Sequence, residues 1–177
     1  MAKLAIETIE VSALIKRPKH LEAMGLLTVE ITHMERAISD LFSTVMGIHF
    51  FLAETIYFTA NSAIARMDIV GNAAPMVLSG LPADLKKVQK LIGRAKATMG
   101  KRHAVIHSFW MLSDQGEHLT REKLGEFKNR RIKVVALAEL EDEIERTQRL
   151  TNDINQFCVD FRNAHPREIT RLREYWN

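Results

Sequence analysis

"LTVEITHMERAISDLFSTV", residues 27–45, decides the architecture. Leu27, Ile31, Met34, Ile38, Leu41 and Val45 recur at alternating intervals of four and three residues. An α-helix turns once every 3.6 residues, so these six side chains share one stripe, whereas a strand would need a period of two. The stripe predicts a helix over 22–46, stopped at Gly47. Working outward, a second helical stretch is predicted from Phe50 to Val70, closed by "GNAAP" at 71–75. "SGLPADLKK" (79–87) reads as a turn, a proline and a helix start. The stripe that follows runs Val88, Ile92, Ala95, Met99 and Ile106. A last long helix is expected to open near Ala138, with Leu140, Ile144, Ile154, Phe157 and Phe161 on one face, and to end near Asn163 before Pro166. The tail "REITRLREYWN" is expected to add a final helical turn. Between the last two long helices, residues 113–137 lose the helical period. Gly116, Gly125 and the β-branched "IKVV" predict a short irregular or β-hairpin insertion there. The expected fold is all-α, an up-and-down helical bundle in a single domain over 1–177.

Composition bounds the function. The chain has 177 residues, long enough to bury a core without staples, with 46% hydrophobic and 27% charged residues. A single cysteine, Cys158, excludes an internal disulfide and fits a reducing compartment. The N-terminus "MAKLAIETIE" lacks the apolar core and cleavage site of an export signal. The runs "LFSTVMGIHFFLA" and "IVGNAAPMVLSGLPA" are too short to span a membrane. A cytoplasmic protein without a membrane anchor is expected. The net charge is only +3, but it is unevenly spread. From Asp84 to His107, seven cations face one acid, and from Arg121 to Lys133 six cations face two acids. The acids gather in "ELEDEIE". Such asymmetry permits an anionic partner, although a solvated helix face and a basic loop also produce it.

The chemistry concentrates in "MGKRHAVIHSFW", residues 99–110. With Met99 at zero on a helical wheel, Ile106 falls at about −20°, Arg102 at about −60°, His103 at about +40° and His107 at about +80°. Arg102 and His107 then occupy opposite shoulders of the apolar seam, too far apart on one helix to grip one small group. Two copies packed seam to seam would bring one Arg102 towards the other copy's His107, which a symmetric dimer does with one sequence. A histidine titrates near neutrality and can give or take a proton, and a guanidinium matches a phosphate with several donors. The plain alternative is that these are hydrogen-bonded structural groups. His103 and His107 are spaced i, i+4, as in some metal sites, but no carboxylate or cysteine neighbours them, so no metal is expected. "FRNAHP" (161–166) holds Arg162 and His165 only three apart at a helix end, where cations suit the negative pole. Cys158 and the Met and Phe stripes read as core. Glu30, His33 and Glu54 are groups that the fold could carry towards the motif.

"KRHAVIHSFW" resembles the signature of the HEPN superfamily, small all-helical domains with an Arg-x4-6-His motif, here Arg102 and His107. Two preceding helical stretches, including "AIARMDIV", and the loop followed by an acidic helix are similar over residues 22–163, with only the motif specific. The resemblance implies a metal-independent endoribonuclease, a toxin or defence effector, with a composite site at a homodimer interface. It implies acid–base work for His107, charge stabilisation by Arg102, and orientation by the residue after the arginine. That residue is His103, where asparagine or aspartate is commoner, so His103 acts either as donor or as a second acid–base group. Lys101, Lys96 and Arg94 are placed to hold flanking phosphates. Phe109 stands where members paired with a nucleotidyltransferase antitoxin carry tyrosine, which excludes modification at that hydroxyl. RNA is the expected substrate and an antitoxin or regulatory protein a possible partner; no cofactor is expected. The alternative function is a non-catalytic HEPN-like module that binds RNA, nucleotide or a partner protein. A third reading is a structural dimerisation domain.

Overall fold

A computed structural model describes residues 14–106, 108–112, 119–123 and 132–166. Among the described residues there are five helices: α1 (Pro18–Met46), α2 (Phe50–Phe58), α3 (Ala63–Val77), α4 (Pro82–Ile106) and α5 (Leu137–Ala164). Between α4 and α5 the described residues form three strands: β1 (Ser108–Leu112), β2 (Leu119–Lys123) and β3 (Ile132–Val134). The chain divides into two compact units, Met1–Thr28 with Lys101–Ile144, and Val29–Gly100 with Glu145–Asn177. The three long helices each contribute residues to both.

The second unit holds segments of all five helices. The stripe that decided the reading is its centre: Ile31, Met34, Ile38, Leu41 and Val45 are essentially inaccessible to solvent. Met67, Val70 and Ala74 of α3, Val88, Ile92 and Ala95 of α4, and Leu150, Ile154 and Phe157 of α5 are buried with them. Fully burying each large side chain contributes about 1.5–3 kcal/mol, so the stripes are the main source of stability. α1 ends where expected, with Gly47 at φ 64°, a conformation that glycine adopts without a Cβ clash. The Ser43 hydroxyl donates to the Ile48 carbonyl at 2.8 Å and ties that corner down.

The expected helix over 50–70 is two helices. α2 closes at Thr59, whose N–H bonds the Ile56 carbonyl, and α3 opens at Ser62, whose hydroxyl accepts from the Ala65 N–H at 3.1 Å. The Arg66 Nε–H donates to the Ala60 carbonyl at 3.1 Å and straps the corner. "GNAAP" does not terminate α3, which carries Pro75 inside it. Gly71 stands four residues before that proline, where the ring of a helical proline crowds the backbone.

In the first unit, the His20 Nε2–H donates to the Val135 carbonyl at 3.3 Å, and Leu27, Val105, Val135 and Leu140 are buried. The insertion is an antiparallel meander in the order β1-β2-β3. Ser108 registers with Lys123 and Leu112 with Leu119, and Thr120 registers with Val134. Helical geometry, expected to continue through "HSFW", stops at Ile106, and Phe109 and Trp110 belong to β1. The run "SFWML" is aromatic and apolar at successive positions, which suits a paired strand better than an amphipathic helix. The tail expected to add a helical turn lies outside the described residues.

Candidate functional site

α4 begins at Pro82, whose missing N–H costs nothing at a first helical position, and Asp84 sits in its first turn near the positive pole. Its other end carries the motif. Arg102 is half-buried in the last turns, and its Nε–H is buried with no hydrogen-bond partner among the described residues. Leaving a buried donor unmet costs about 1–3 kcal/mol, so this atom is a donor in want of an acceptor. His103 is exposed in the last turn, beside carbonyls that favour a cation. His107 lies outside the described residues, and so does its wheel angle.

The three expected phosphate-binding cations are each ion-paired. Lys101 donates to Glu143 at 2.8 Å, with the carboxylate side chain only 9% exposed. Arg94 pairs with Asp153 at 2.6 Å, and Lys96 pairs with Asp68. The Arg94 and Lys96 pairs are solvated on both sides, and such pairs are worth about 0–1 kcal/mol, little enough for a phosphate to compete. The Lys101 pair is anchored by its sheltered acid and yields less readily.

The other chemistry-bearing residues are divided between structural contacts and a cleft. Arg162 donates through Nε to the Cys158 carbonyl at 3.2 Å and its guanidinium pairs with Asp40. The His165 Nε2–H donates to Asp84 at 3.1 Å. Cys158 is buried, and burial, with the nearby Asp40 charge, pushes its thiol up to about 11. Glu54 is bound to Arg36, whose guanidinium lies 4.6 Å over the Phe50 ring. Glu30 and His33 pair at 3.5 Å and line an open cleft of about 640 Å³ between α1 and α5, within the second unit. Gln148, Thr151, Asn152 and Asn155 form the facing wall, with Ala37 between the walls. Sequence reading missed this cleft. Its signal is the spacing of Gln148, Asn152 and Asn155, which is helical but polar, and a search for apolar stripes passes over it.

No group of three or more His, Cys, Asp or Glu placed to hold a metal occurs among the described residues. Among the same residues, no helix is long and apolar enough to cross a membrane. Compared with known protein families, with curated proteins and with solved structures, the chain matches none.

Proposed function

We propose that this protein is a HEPN-like, metal-independent endoribonuclease that acts as a homodimer in the cytoplasm, as a toxin or defence effector. The observation that carries the reading is Arg102: a half-buried guanidinium with an unmet buried N–H, in an Arg-x4-His motif at the end of α4. In the proposed reaction one histidine takes the proton of a ribose 2′-hydroxyl, whose oxygen attacks the adjacent phosphorus. The bond to the 5′-oxygen breaks, and that oxygen leaves with a proton from a second histidine. His107 and His103 are the candidates for these roles. Arg102 stabilises the charge on the phosphorane oxygens. The products are a 2′,3′-cyclic phosphate and a 5′-hydroxyl. An antitoxin or regulatory protein would hold such an activity in check.

The ion pairing of Arg94, Lys96 and Lys101 favours a second reading, a HEPN-like module that binds without turnover, because it lowers the charge offered to a nucleic acid. End analysis of a defined RNA incubated with the protein in EDTA separates the two. The nuclease reading expects cyclic-phosphate ends from wild type and none from Arg102→Ala or His107→Ala at unchanged oligomeric mass. Cleavage that needs a divalent metal, or that survives either substitution, contradicts it. Salt-sensitive binding without cleavage selects the module.

A further inference from the structure

α2 buries one face against the core and leaves the opposite face apolar as well. With Phe51 at zero on a helical wheel, Phe58 falls at about −20°, Thr55 at about +40°, Thr59 at about +80°, Leu52 at about +100° and Ile56 at about +140°. All six are exposed among the described residues, whereas Ala53 and Tyr57 on the other side are buried. The exposed face carries no charge. Glu54 is the single charged residue between Phe50 and Ala65, and it is bound to Arg36. Arg66 lies 5.0 Å over the Phe58 ring and is itself tied to Glu35 at 3.0 Å. The two hydroxyls on the face are spent on their own helix: Thr55 donates to the Phe51 carbonyl at 2.8 Å, and Thr59 to the Ile56 carbonyl at 2.6 Å. Water can therefore leave this face without stranding a donor.

A helix that lies on an anionic membrane flanks its apolar face with lysine and arginine, and none occurs between Phe50 and Ala65. The order of the side chains instead matches a second copy. In an antiparallel pair related by a two-fold axis, each shoulder of the face meets the same shoulder of the other copy. Phe51 then meets the copy's Phe58, and Leu52 meets the copy's Ile56. The two pairings have nearly the same midpoint, beside Thr55, a residue small enough to let the helices approach. A two-fold contact also sets like residues close together, which an uncharged face tolerates and a charged one does not. Phe51 is 68%, Leu52 43%, Phe58 41% and Ile56 37% exposed. At about 200 Å² for a large side chain, these four and the threonines offer on the order of 1,000 Å² across two copies. That is the lower end of what a specific pair buries, and too large an apolar patch to be left in water without a function.

We infer that α2 packs antiparallel against α2 of a second copy of this chain, through Phe51, Leu52, Thr55, Ile56 and Phe58. The contact does not rest on the nuclease reading, since none of these residues belongs to the Arg102 motif. Sedimentation equilibrium of the full-length protein tests it. At equal concentration, the Leu52→Glu/Ile56→Glu variant is expected to have half the particle mass of wild type, with its helical circular dichroism unchanged. Thr55→Cys, oxidised with copper–phenanthroline, is expected to form a covalent dimer on a non-reducing gel. Wild type, whose Cys158 is buried, and the exposed control Ser79→Cys are not. The cross-link decides the matter if the double variant does not fold. Three results overturn the inference: wild type is a monomer, or the folded double variant keeps the wild-type mass; Thr55→Cys links no faster than Ser79→Cys; or wild type is monomeric and sediments with neutral phosphatidylcholine vesicles, which would make the face a membrane contact. None of these readouts uses RNA, so failure here is distinct from failure of the nuclease reading.

Discussion

Arg102 combines two properties that rarely serve stability together, a guanidinium sheltered by the fold and a buried N–H without an acceptor among the described residues. A structural arginine would be fully bonded, and its loss would unfold the protein. Arg102→Met keeps the stem and removes the unmet donor. It is expected to leave the urea midpoint unchanged or higher, within about 1 kcal/mol, while RNA cleavage falls to background. A loss of several kcal/mol would make Arg102 a structural group. Tyr57 poses the same question inside the core. Its hydroxyl is buried without a partner among the described residues, and burial beside the Glu35 charge raises its pKa well above the ordinary value. Tyr57→Phe is expected to hold or raise the midpoint in chemical denaturation, because a desolvated, unbonded hydroxyl costs about 1–3 kcal/mol. Cys158 gives a pH signature. Its folded pKa lies above the unfolded value, from 9.0 to about 11, so the unfolded chain loses this proton first. Its contribution is intact below about pH 9 and declines as pH rises towards 11, with Tyr57 acting in the same direction higher up. Urea midpoints measured from pH 8 to 10.5 should fall in wild type and fall less steeply in Cys158→Ala. The motif was legible because arginine and histidine stand out against an apolar seam. The unmet N–H was not, because it depends on what the fold brings near.

Among the elements, α1, α4 and α5 were readable because each buries one stripe and exposes the rest. α2 and α3 were not separable by period. "FFLAETIYFTANSAIARMDIV" is apolar nearly all round, so no stripe breaks at the corner, and the local signal was Ser62 as an N-cap. Ser62→Ala is expected to cost about 1 kcal/mol in thermal or urea denaturation. Gly47→Ala, at φ 64°, is expected to cost about 1–2 kcal/mol. If neither variant shifts the midpoint, the corners are not set by these residues. The end of α4 was overrun because Ile106 continues its stripe, while the competing ladder comes from β2, which begins thirteen positions downstream at Leu119. That change alters the site's logic: Arg102 belongs to the helix, but Phe109 and Trp110 belong to a strand.

For the whole molecule, the sequence indicated helices around one apolar stripe and a short β insertion, and the described residues carry both. It did not reveal which cations are already engaged. Arg94, Lys96 and Lys101 form a basic run in one dimension and three separate ion pairs in three. The α1–α5 cleft was invisible for a related reason, since its walls meet across more than a hundred residues of chain. The proposed activity rests on a site completed by a second copy, and mixing inactive chains tests this directly. Arg102→Ala and His107→Ala chains, each inactive alone, are co-refolded in equal amounts and assayed for RNA cleavage. A shared site leaves one intact Arg102–His107 pairing in every mixed dimer, so cleavage should return to about a quarter of wild type. A mixture as inactive as its components would contradict the shared site.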